Sequence, residues 1–288
     1  MELFLIVLIN GCIMGSVYAL FAMGLNTQYG VARIMNIAHG EFIVFAAFIT
    51  YLVVTRMGMH PLIGLVITGP VVFAITYVLH ITLYRRVKNM SPNISIFEGN
   101  AILMSFGVYF IIQNLIQQKM GSVTTAYPFM AYPVEVGTAT VAASNLFVLL
   151  IAVIICIVYN VFLAKTRMGK SIRAAAQDPQ AASLLGIKIN RVMALCFAIG
   201  GLLAACAGVL ISMKEPFSAT SGMSYTTVGI IIVVLGGLGS VRGAMLGGFI
   251  MGFVGTAVST YDTGLMYSVF YLIVLVLLIV RPKGLLAR

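Results

Sequence analysis

The sequence has few charged residues, and acidic residues are the scarcest of them. Asp, Glu, Lys and Arg make up only 8% of its 288 residues, and Asp plus Glu number 7. A soluble domain carries roughly a quarter of its residues as charged ones. Apolar runs of about 20 residues, the length that crosses a hydrocarbon core, recur along the chain. The lack of charge therefore excludes an ordinary soluble domain and predicts an all-α polytopic membrane protein.

The sequence also lacks the motifs of catalysis and of metal binding. Its four cysteines lie inside apolar runs without CxxC spacing, and no HExxH pattern occurs. It has no GxxxxGK[ST] phosphate-binding loop. No paired carboxylate or Ser–His arrangement falls within one region of the sequence. We therefore expect no catalytic residue, no metal site and no cofactor in this chain.

The basic residues gather in short gaps between the apolar runs. They concentrate at 85–88, at 165–191 and in the tail at 281–288. Lys and Arg accumulate on the cytoplasmic side of membrane proteins. The net charge of +10 thus indicates membrane orientation and not nucleic-acid binding. The C-terminus is expected in the cytoplasm and the N-terminus outside.

The whole chain is predicted to form one transmembrane domain, 1–288, with two longer loops. A Pro- and Val-rich external loop at 119–143 suggests a short hairpin over PVEVGTATV, and it is either plain loop or a docking surface. A basic cytoplasmic loop covers 165–191. Nine apolar segments are expected, or eight spans if one segment is re-entrant; they lie at roughly 3–25, 37–55, 61–83, 100–118, 144–164, 191–212, 224–238, 243–260 and 264–281.

Polar residues interrupt the first two apolar runs. The stretch GLNTQYGVARIMNIAHGEF holds Asn26, Gln28, Asn36, His39 and Glu41. Polar groups at membrane depth are costly unless they face a cavity or a partner, so the stretch predicts a span that breaks and restarts. A helix that restarts near Asn36 would direct free N–H groups at the break, which suits a carboxylate or another polar solute.

Two residues of this stretch have alternative roles. His39 is either a hydrogen-bonded structural residue or a solute contact. Glu41 is either a proton carrier, as in a secondary transporter, or the ion-pair partner of Arg33.

A second interruption, VVLGGLGSVRGAMLGGFIMGF, is rich in glycine. Glycine-broken segments in two halves of a transporter point to its transport site, although glycines also serve tight helix packing. We predict that polar residues of the first stretch line or support a solute path opposite the second. The predicted set is Asn26, Gln28, Asn36, His39, Gly236, Gly237, Gly239 and Ser240.

The cytoplasmic loop contains a predicted short helix. In RAAAQDPQAASLLGI, Asp178 suits the N-cap, Pro179 the first helical position and Gly186 the position past the end. A helix of about two turns is marginal alone, so it must dock on the membrane surface or on a soluble partner. The docking residues are predicted to be Asp178, Pro179, Ala182, Leu184, Leu185 and Gly186.

Four stretches in this order resemble one family over essentially the whole chain. YGVARIMNIAHGEF, RAAAQDPQAASLLGI, GGLGSVRGAMLGG and RPKGLL are similar to the permease subunits of branched-chain amino acid ABC importers, of the LivH type. The permeases of urea importers are closely similar. The resemblance therefore leaves urea, or another small polar or carboxylate solute, as an alternative to branched-chain amino acids.

The resemblance implies a transport subunit of the bacterial cytoplasmic membrane that works in a complex. Its implied partners are a LivM-like second permease, two cytoplasmic ATPase subunits that bind ATP and Mg²⁺, a periplasmic or lipid-anchored solute-binding protein, and membrane lipid. The helix around Asp178 to Gly186 matches the family's coupling helix, which docks on an ATPase. A self-sufficient secondary transporter is the alternative from another class, with Glu41 its one candidate coupling carboxylate.

One departure from the family pattern is visible in GLNTQYG. Thr27 and Gln28 stand where the family usually has aliphatic residues. The departure suggests either a more polar path, for a different solute, or a contact of Gln28 with the partner subunit.

Overall fold

The computed structural model describes residues 2–121 and 123–286, and these residues are mainly helical. The prediction of an all-α polytopic fold is confirmed. A π-helical turn, His80–Tyr84, joins α3 to α4, and a 3₁₀ turn, Thr263–Leu265, precedes α12. The helices are α1 Glu2–Ala32, α2 His39–Met57, α3 Pro61–Leu79, α4 Arg85–Met90, α5 Ile94–Met120, α6 Ala143–Lys165, α7 Arg167–Gln177, α8 Pro179–Leu184, α9 Ile189–Ser212, α10 Gly222–Gly236, α11 Val241–Tyr261 and α12 Met266–Val280.

Within the described residues, eight helical segments are long and apolar enough to cross a membrane, and the 15-residue α10 is a shorter apolar helix. At 1.5 Å per residue α10 is about 22 Å long, which is less than the roughly 30 Å of a hydrocarbon core. Each of the nine predicted segments thus corresponds to a helix. Three boundaries were wrong: α1 extends to Ala32 and not to 25, α5 begins at Ile94 and not at 100, and a single helical segment runs over Pro61–Met90. Arg85 and Arg86 lie on its last turns and not in a gap between helices.

The central helix of the bundle is α9. In the most apolar 18-residue stretch of α9, 83% is buried inside the chain, against 6% in the segment Thr263–Val280 that contains α12. Small residues make the central position of α9 possible, because they let the backbones of neighbouring helices contact the backbone of α9. A β-carbon on Gly24 of α1 would lie 2.9 Å from the carbonyl oxygen of Gly200, and one on Gly208 would collide with the carbonyl oxygen of Ile43. The interior is therefore organised around α9, with α1, α2 and α3 against it.

The second glycine-rich stretch continues into α11, which crosses α1 closely. A β-carbon on Gly248 would collide with the backbone of Ala19, and one on Gly252 with the backbone of Gly15. These two glycines of α11 therefore serve helix packing, the alternative role considered for this stretch.

The hairpin predicted over PVEVGTATV is present. Strand β1, Pro133–Val136, pairs antiparallel with β2, Ala139–Ala142. The preceding loop is attached to the bundle, because Thr125 and Phe217 exchange backbone hydrogen bonds of 2.8 and 3.0 Å. The Tyr127 hydroxyl also lies 2.9 Å from that of Ser212 at the end of α9. Burial raises the pKa of Tyr127 to about 12, so this hydroxyl stays neutral at any physiological pH.

Candidate functional site

The first interruption of the helices is shorter than the sequence suggested. α1 continues to Ala32, so Asn26 and Gln28 lie inside a regular helix and not in the break. The non-helical segment covers 33–38 only. It begins at Arg33, which adopts the left-handed region with φ 56°. The polar residues of the stretch therefore divide into two groups, one on the last turns of α1 and one at the start of α2.

The segment 33–38 returns from the end of α1 toward the middle of the bundle. The His39 Nε2 atom lies 3.1 Å from the Phe21 carbonyl oxygen, eleven residues before the end of α1. A β-carbon on Gly24 would lie 3.2 Å from the His39 ring and 2.9 Å from the oxygen of Gly200, which is midway along α9. α2 therefore begins at the mid-level of the bundle, where His39 is fully buried.

The N–H groups at the start of α2 are not free, which corrects the expectation of an open anion site there. The Ala38 N–H donates to Asn36 Oδ1 at 3.1 Å, and the His39 N–H donates to the Asn36 carbonyl at 3.2 Å. The Gly40 N–H donates to Thr226 Oγ1 at 2.8 Å. The Glu41 N–H donates to the Ala38 carbonyl at 3.1 Å. The donors that a solute carboxylate would need at this end are already occupied.

A second helix, α10, begins beside α2. It follows the non-helical segment 213–221, which begins at the end of α9. A β-carbon on Gly40 would collide with the Gly222 carbonyl oxygen, so the two backbones touch. Thr226 Oγ1 completes the contact by donating to the Ile37 carbonyl at 2.9 Å. The N-terminal ends of two interrupted helices therefore meet at mid-level.

Sequence reasoning gave no role to the residues that surround Glu41. Glu41 is fully buried, and it forms no ion pair with Arg33 or with any other described residue. Its carboxyl group contacts Gly222, where a β-carbon would collide with it. Neither carboxyl oxygen has a hydrogen-bond partner among the described residues. No sequence signal links Glu41 with Gly222 or Thr226, because the contact forms only on folding.

Asn26 holds the glycine turn between α10 and α11. Its Nδ2 donates to the Ser240 carbonyl at 2.7 Å and to the Gly237 carbonyl at 3.3 Å. Its Oδ1 accepts from the Gly239 N–H at 2.6 Å. Gly237 and Gly239 have φ of 102° and 85°, a region that residues with a side chain rarely adopt. One amide side chain thus binds a turn that only glycine forms easily.

The C-terminal tail binds the end of the same helix. The N–H groups of Leu285 and Leu286 donate to the carbonyls of Leu235 and Gly236, at 2.9 and 3.1 Å. Carbonyls in the last turn of a helix have no partner within the helix. The tail therefore supplies the donors that the end of α10 needs.

The other predicted path residues do not join this turn. The Gln28 Nε2 donates to the Phe197 carbonyl of α9 at 3.0 Å, within this chain. Thr27 Oγ1 lies 2.5 Å from the Tyr159 hydroxyl. Asn26, Gln28, Asn36 and His39 are all buried, whereas Gly239 is exposed and Ser240 is half-buried. The structure joins Asn26 to the turn, places Asn36 and His39 together at the start of α2, and bonds Gln28 of α1 to the Phe197 carbonyl of α9.

A small cavity of about 60 Å³ lies beside the glycine turn, between α1 and α7. Asn26, Gly30 and Gly239 line one side of it, and Arg173 of α7 lines the other. Arg173 donates to the Leu163 carbonyl. α7, which lies within the loop 165–191, therefore faces the turn that Asn26 holds across this cavity.

The predicted short helix of the cytoplasmic loop is present as α8. Asp178 Oδ1 accepts from the N–H groups of Gln180 and Ala181, at 2.8 and 3.0 Å. Gly186 follows with φ 82°. The side chains of Leu184 and Leu185 are 88% and 82% exposed. Ala182 was predicted to dock on a partner, but it is buried against its own chain, so the exposed apolar surface consists of Leu184 and Leu185.

The described residues contain no group of three or more His, Cys, Asp or Glu side chains that could hold a metal ion. The site is thus built from backbone groups, buried amides and one carboxyl group.

The sequence matches the protein family described as branched-chain amino acid transport system / permease component over residues 7–280. It is 31% identical to the high-affinity branched-chain amino acid transport system permease protein LivH of Escherichia coli K12, over 99% of this chain and 96% of that protein. It is 29% identical to the corresponding permease BraD of Pseudomonas aeruginosa, over 98% of this chain and 95% of that protein.

Similarity extends to permeases named for sugars, but it covers less of the chain. The fructose import permease protein FrcC of Rhizobium meliloti is 25% identical over 76% of this chain and 61% of its own length. No solved structure matches the chain.

Proposed function

The chain belongs to the family of permease components of branched-chain amino acid transport systems, and from this premise we propose that it imports branched-chain amino acids in an ATP-driven complex. The observation that carries the proposal is the similarity along 99% of the chain to a permease named for these solutes. The similarity to the fructose permease covers only 76%. The protein is a multi-pass transport subunit and not an enzyme.

The complex that we propose has four kinds of protein subunit, in the bacterial cytoplasmic membrane. They are this chain, a LivM-like second permease, two cytoplasmic ATPase subunits that bind ATP and Mg²⁺, and a periplasmic or lipid-anchored binding protein. Lipid and the second permease would cover helices that lie at the edge of the bundle, such as α12, of which only 6% is buried. The C-terminus faces the cytoplasm and the N-terminus the outside, in accord with the basic loop and tail.

The surface that couples this chain to an ATPase is proposed to be α8. Two neighbouring leucines, Leu184 and Leu185, are almost fully exposed on a six-residue helix. Exposed leucines on a polar loop gain free energy from a protein partner, about 1.5–3 kcal/mol for each side chain that becomes fully buried. Asp178, Pro179 and Gly186 fix the ends of the helix, and Ala182 attaches it to the chain.

We propose that the buried residues around the glycine turn hold the backbone of the solute path in place without contacting the solute. Asn26, Gln28 and His39 are fully buried and hydrogen-bonded to backbone oxygens. Asn36 is buried too, and its side-chain oxygen accepts from the backbone. The exposed side of the turn, Gly239 and Ser240, is the part that a solute can reach. Gly236 and Gly237 set its shape.

Reconstitution tests this proposal. Proteoliposomes with the complete complex and its binding protein should take up L-leucine, L-isoleucine and L-valine only with internal ATP, and this chain alone should take up none. Urea and fructose serve as comparison solutes in the same vesicles. Preference for either of them would reject the assignment of the solute. Leucine accumulation by this chain alone in a proton gradient would instead support a secondary transporter.

A further inference from the structure

The contact between Glu41 and α10 holds an ionisable group that forms no ion pair or hydrogen bond with the described residues. Glu41 is fully buried, and both of its carboxyl oxygens are unpartnered among the described residues. Within those residues one ion pair forms, between Lys214 and Glu215 at 3.5 Å. Ionisable groups inside a membrane bundle are costly and mark functional sites. The carboxyl group of Glu41 is therefore a candidate contact for a ligand that this structure does not contain.

The first turn of α10 supplies hydrogen-bond donors, whereas Glu41 supplies acceptors. The Ser221 N–H bonds to the Ser218 carbonyl, and the Tyr225 N–H to that of Ser221. The N–H groups of residues 222–224 have no acceptor among the described residues, and the Ser221 side chain does not cap the helix. Free N–H groups and the positive end of the helix dipole favour an anion. This end, unlike that of α2, is open to a carboxylate.

The two groups share one accessible location. Gly222 separates them, and because it lacks a side chain the Glu41 carboxyl group reaches its backbone. Met223 and Ser224 of the same turn are exposed on the surface of the chain. An exposed serine at the mid-level of a bundle is typical of a solute path or a subunit contact. A solute that reaches this surface meets the N–H donors first, with the carboxylate directly behind Gly222.

We infer that Glu41 and the first turn of α10 bind the zwitterionic head group of an amino acid solute during transport. The solute carboxylate accepts from the N–H groups of 222–224, and its ammonium group donates to Glu41. This inference rests on the proposed import of amino acids and adds the site that recognises them. In the structure Met223 and Ser224 are exposed but Glu41 is enclosed behind Gly222, so α10 must separate from α2 before the ammonium group of the solute can reach the carboxyl group. The segments 33–38 and 213–221, which contain little helix, adjoin the two ends and allow this separation.

Equilibrium binding to the assembled complex, without its binding protein, tests the site directly. Purified complex in lipid nanodiscs is titrated with radiolabelled L-leucine in nucleotide-free and vanadate-trapped states. Two competitors each carry one half of the head group: isopentylamine has no carboxylate, and 4-methylpentanoate has no ammonium group. Both should compete at least about tenfold more weakly than unlabelled leucine, because each loses charge-assisted hydrogen bonds.

The variant Glu41→Gln keeps the shape of the side chain and removes its charge. It should weaken leucine binding at least about tenfold and abolish the preference for leucine over 4-methylpentanoate, an effect that a purely structural residue would not have. Glu135→Gln, in the exposed external hairpin, is the matched control and should change neither.

Two results would overturn the site while leaving the proposed function intact. One is the absence of saturable leucine binding in every state of a complex that still imports leucine. The other is competition by either half-analogue as strong as that of unlabelled leucine, a result that needs no variant and so applies even if Glu41→Gln fails to assemble. A complete complex that imports no branched-chain amino acid would instead reject the proposed function itself.

Discussion

Replacing Asn26 with alanine should loosen the turn between α10 and α11. The change removes two short hydrogen bonds, to Gly239 N–H at 2.6 Å and to Ser240 O at 2.7 Å, and one longer bond to Gly237 O at 3.3 Å. At about 1 kcal/mol for each short bond and a fraction of that for the long one, the loss is about 2–3 kcal/mol. Gly239 is exposed, so water can satisfy its N–H, which keeps the loss at this level.

Hydrogen exchange measures this loss in the assembled complex. A change of about 2–3 kcal/mol in local opening corresponds to a decrease in protection of roughly 30- to 150-fold for amides of the segment 235–243. Asn114→Ala is a matched control, because the Asn114 Nδ2 donates to the Phe110 carbonyl of its own helix at 2.7 Å, on an exposed face. Unchanged protection in Asn26→Ala, or an equal change in the control, would refute the reasoning that one side chain holds the turn.

Two further predictions concern the coupling helix and the contact of the interrupted helices. Leu184→Asp should lower the solute-stimulated ATPase activity of the complex at least about tenfold, since burial of the leucine is worth about 1.5–3 kcal/mol. The control Ser183→Asp adds the same charge to an exposed neighbour and should have little effect. Full activity in Leu184→Asp would exclude docking at this surface. Gly40→Ala should reduce the yield of folded complex, because its β-carbon would collide with the Gly222 carbonyl oxygen. Gly99→Ala is the control, because a β-carbon at Gly99 meets open space. Normal yield and melting temperature for Gly40→Ala would show that the two helix ends do not depend on this contact.

Local features of the fold could be read from the sequence. The helix α8 begins and ends where Asp178, Pro179 and Gly186 predicted, because caps act through neighbouring backbone groups. The hairpin and the nine apolar segments also follow from short-range patterns. The break before α2 was located, but its extent was not, since the polar side chains of Asn26 and Gln28 are compatible with a helix once the α10–α11 turn and α9 give them partners.

Long-range contacts determine the rest of the site and left no trace in the sequence. Asn26 and Gly237 are 211 residues apart, and Thr226 reaches Ile37 across 189 residues. The amide groups of the first stretch indicated a polar path, but in the folded chain they satisfy backbone groups. The predicted free donors at α2 are occupied by Asn36 and Thr226, and the open helix end belongs to α10. Only the folded arrangement separates a polar residue that holds a turn from one that is left unpaired.

The binding of the segment after α12 to the end of α10 has a consequence for synthesis of the protein. α10 is too short to span a bilayer alone, and its last carbonyls accept from Leu285 and Leu286, which are synthesised after both α11 and α12. The helix can be inserted during translation, but its end cannot be closed until the two later helices have been made. Final assembly of the α10–α11 turn therefore follows the insertion of α11 and α12, and a nascent chain that has not reached Leu285 holds α10 unfinished.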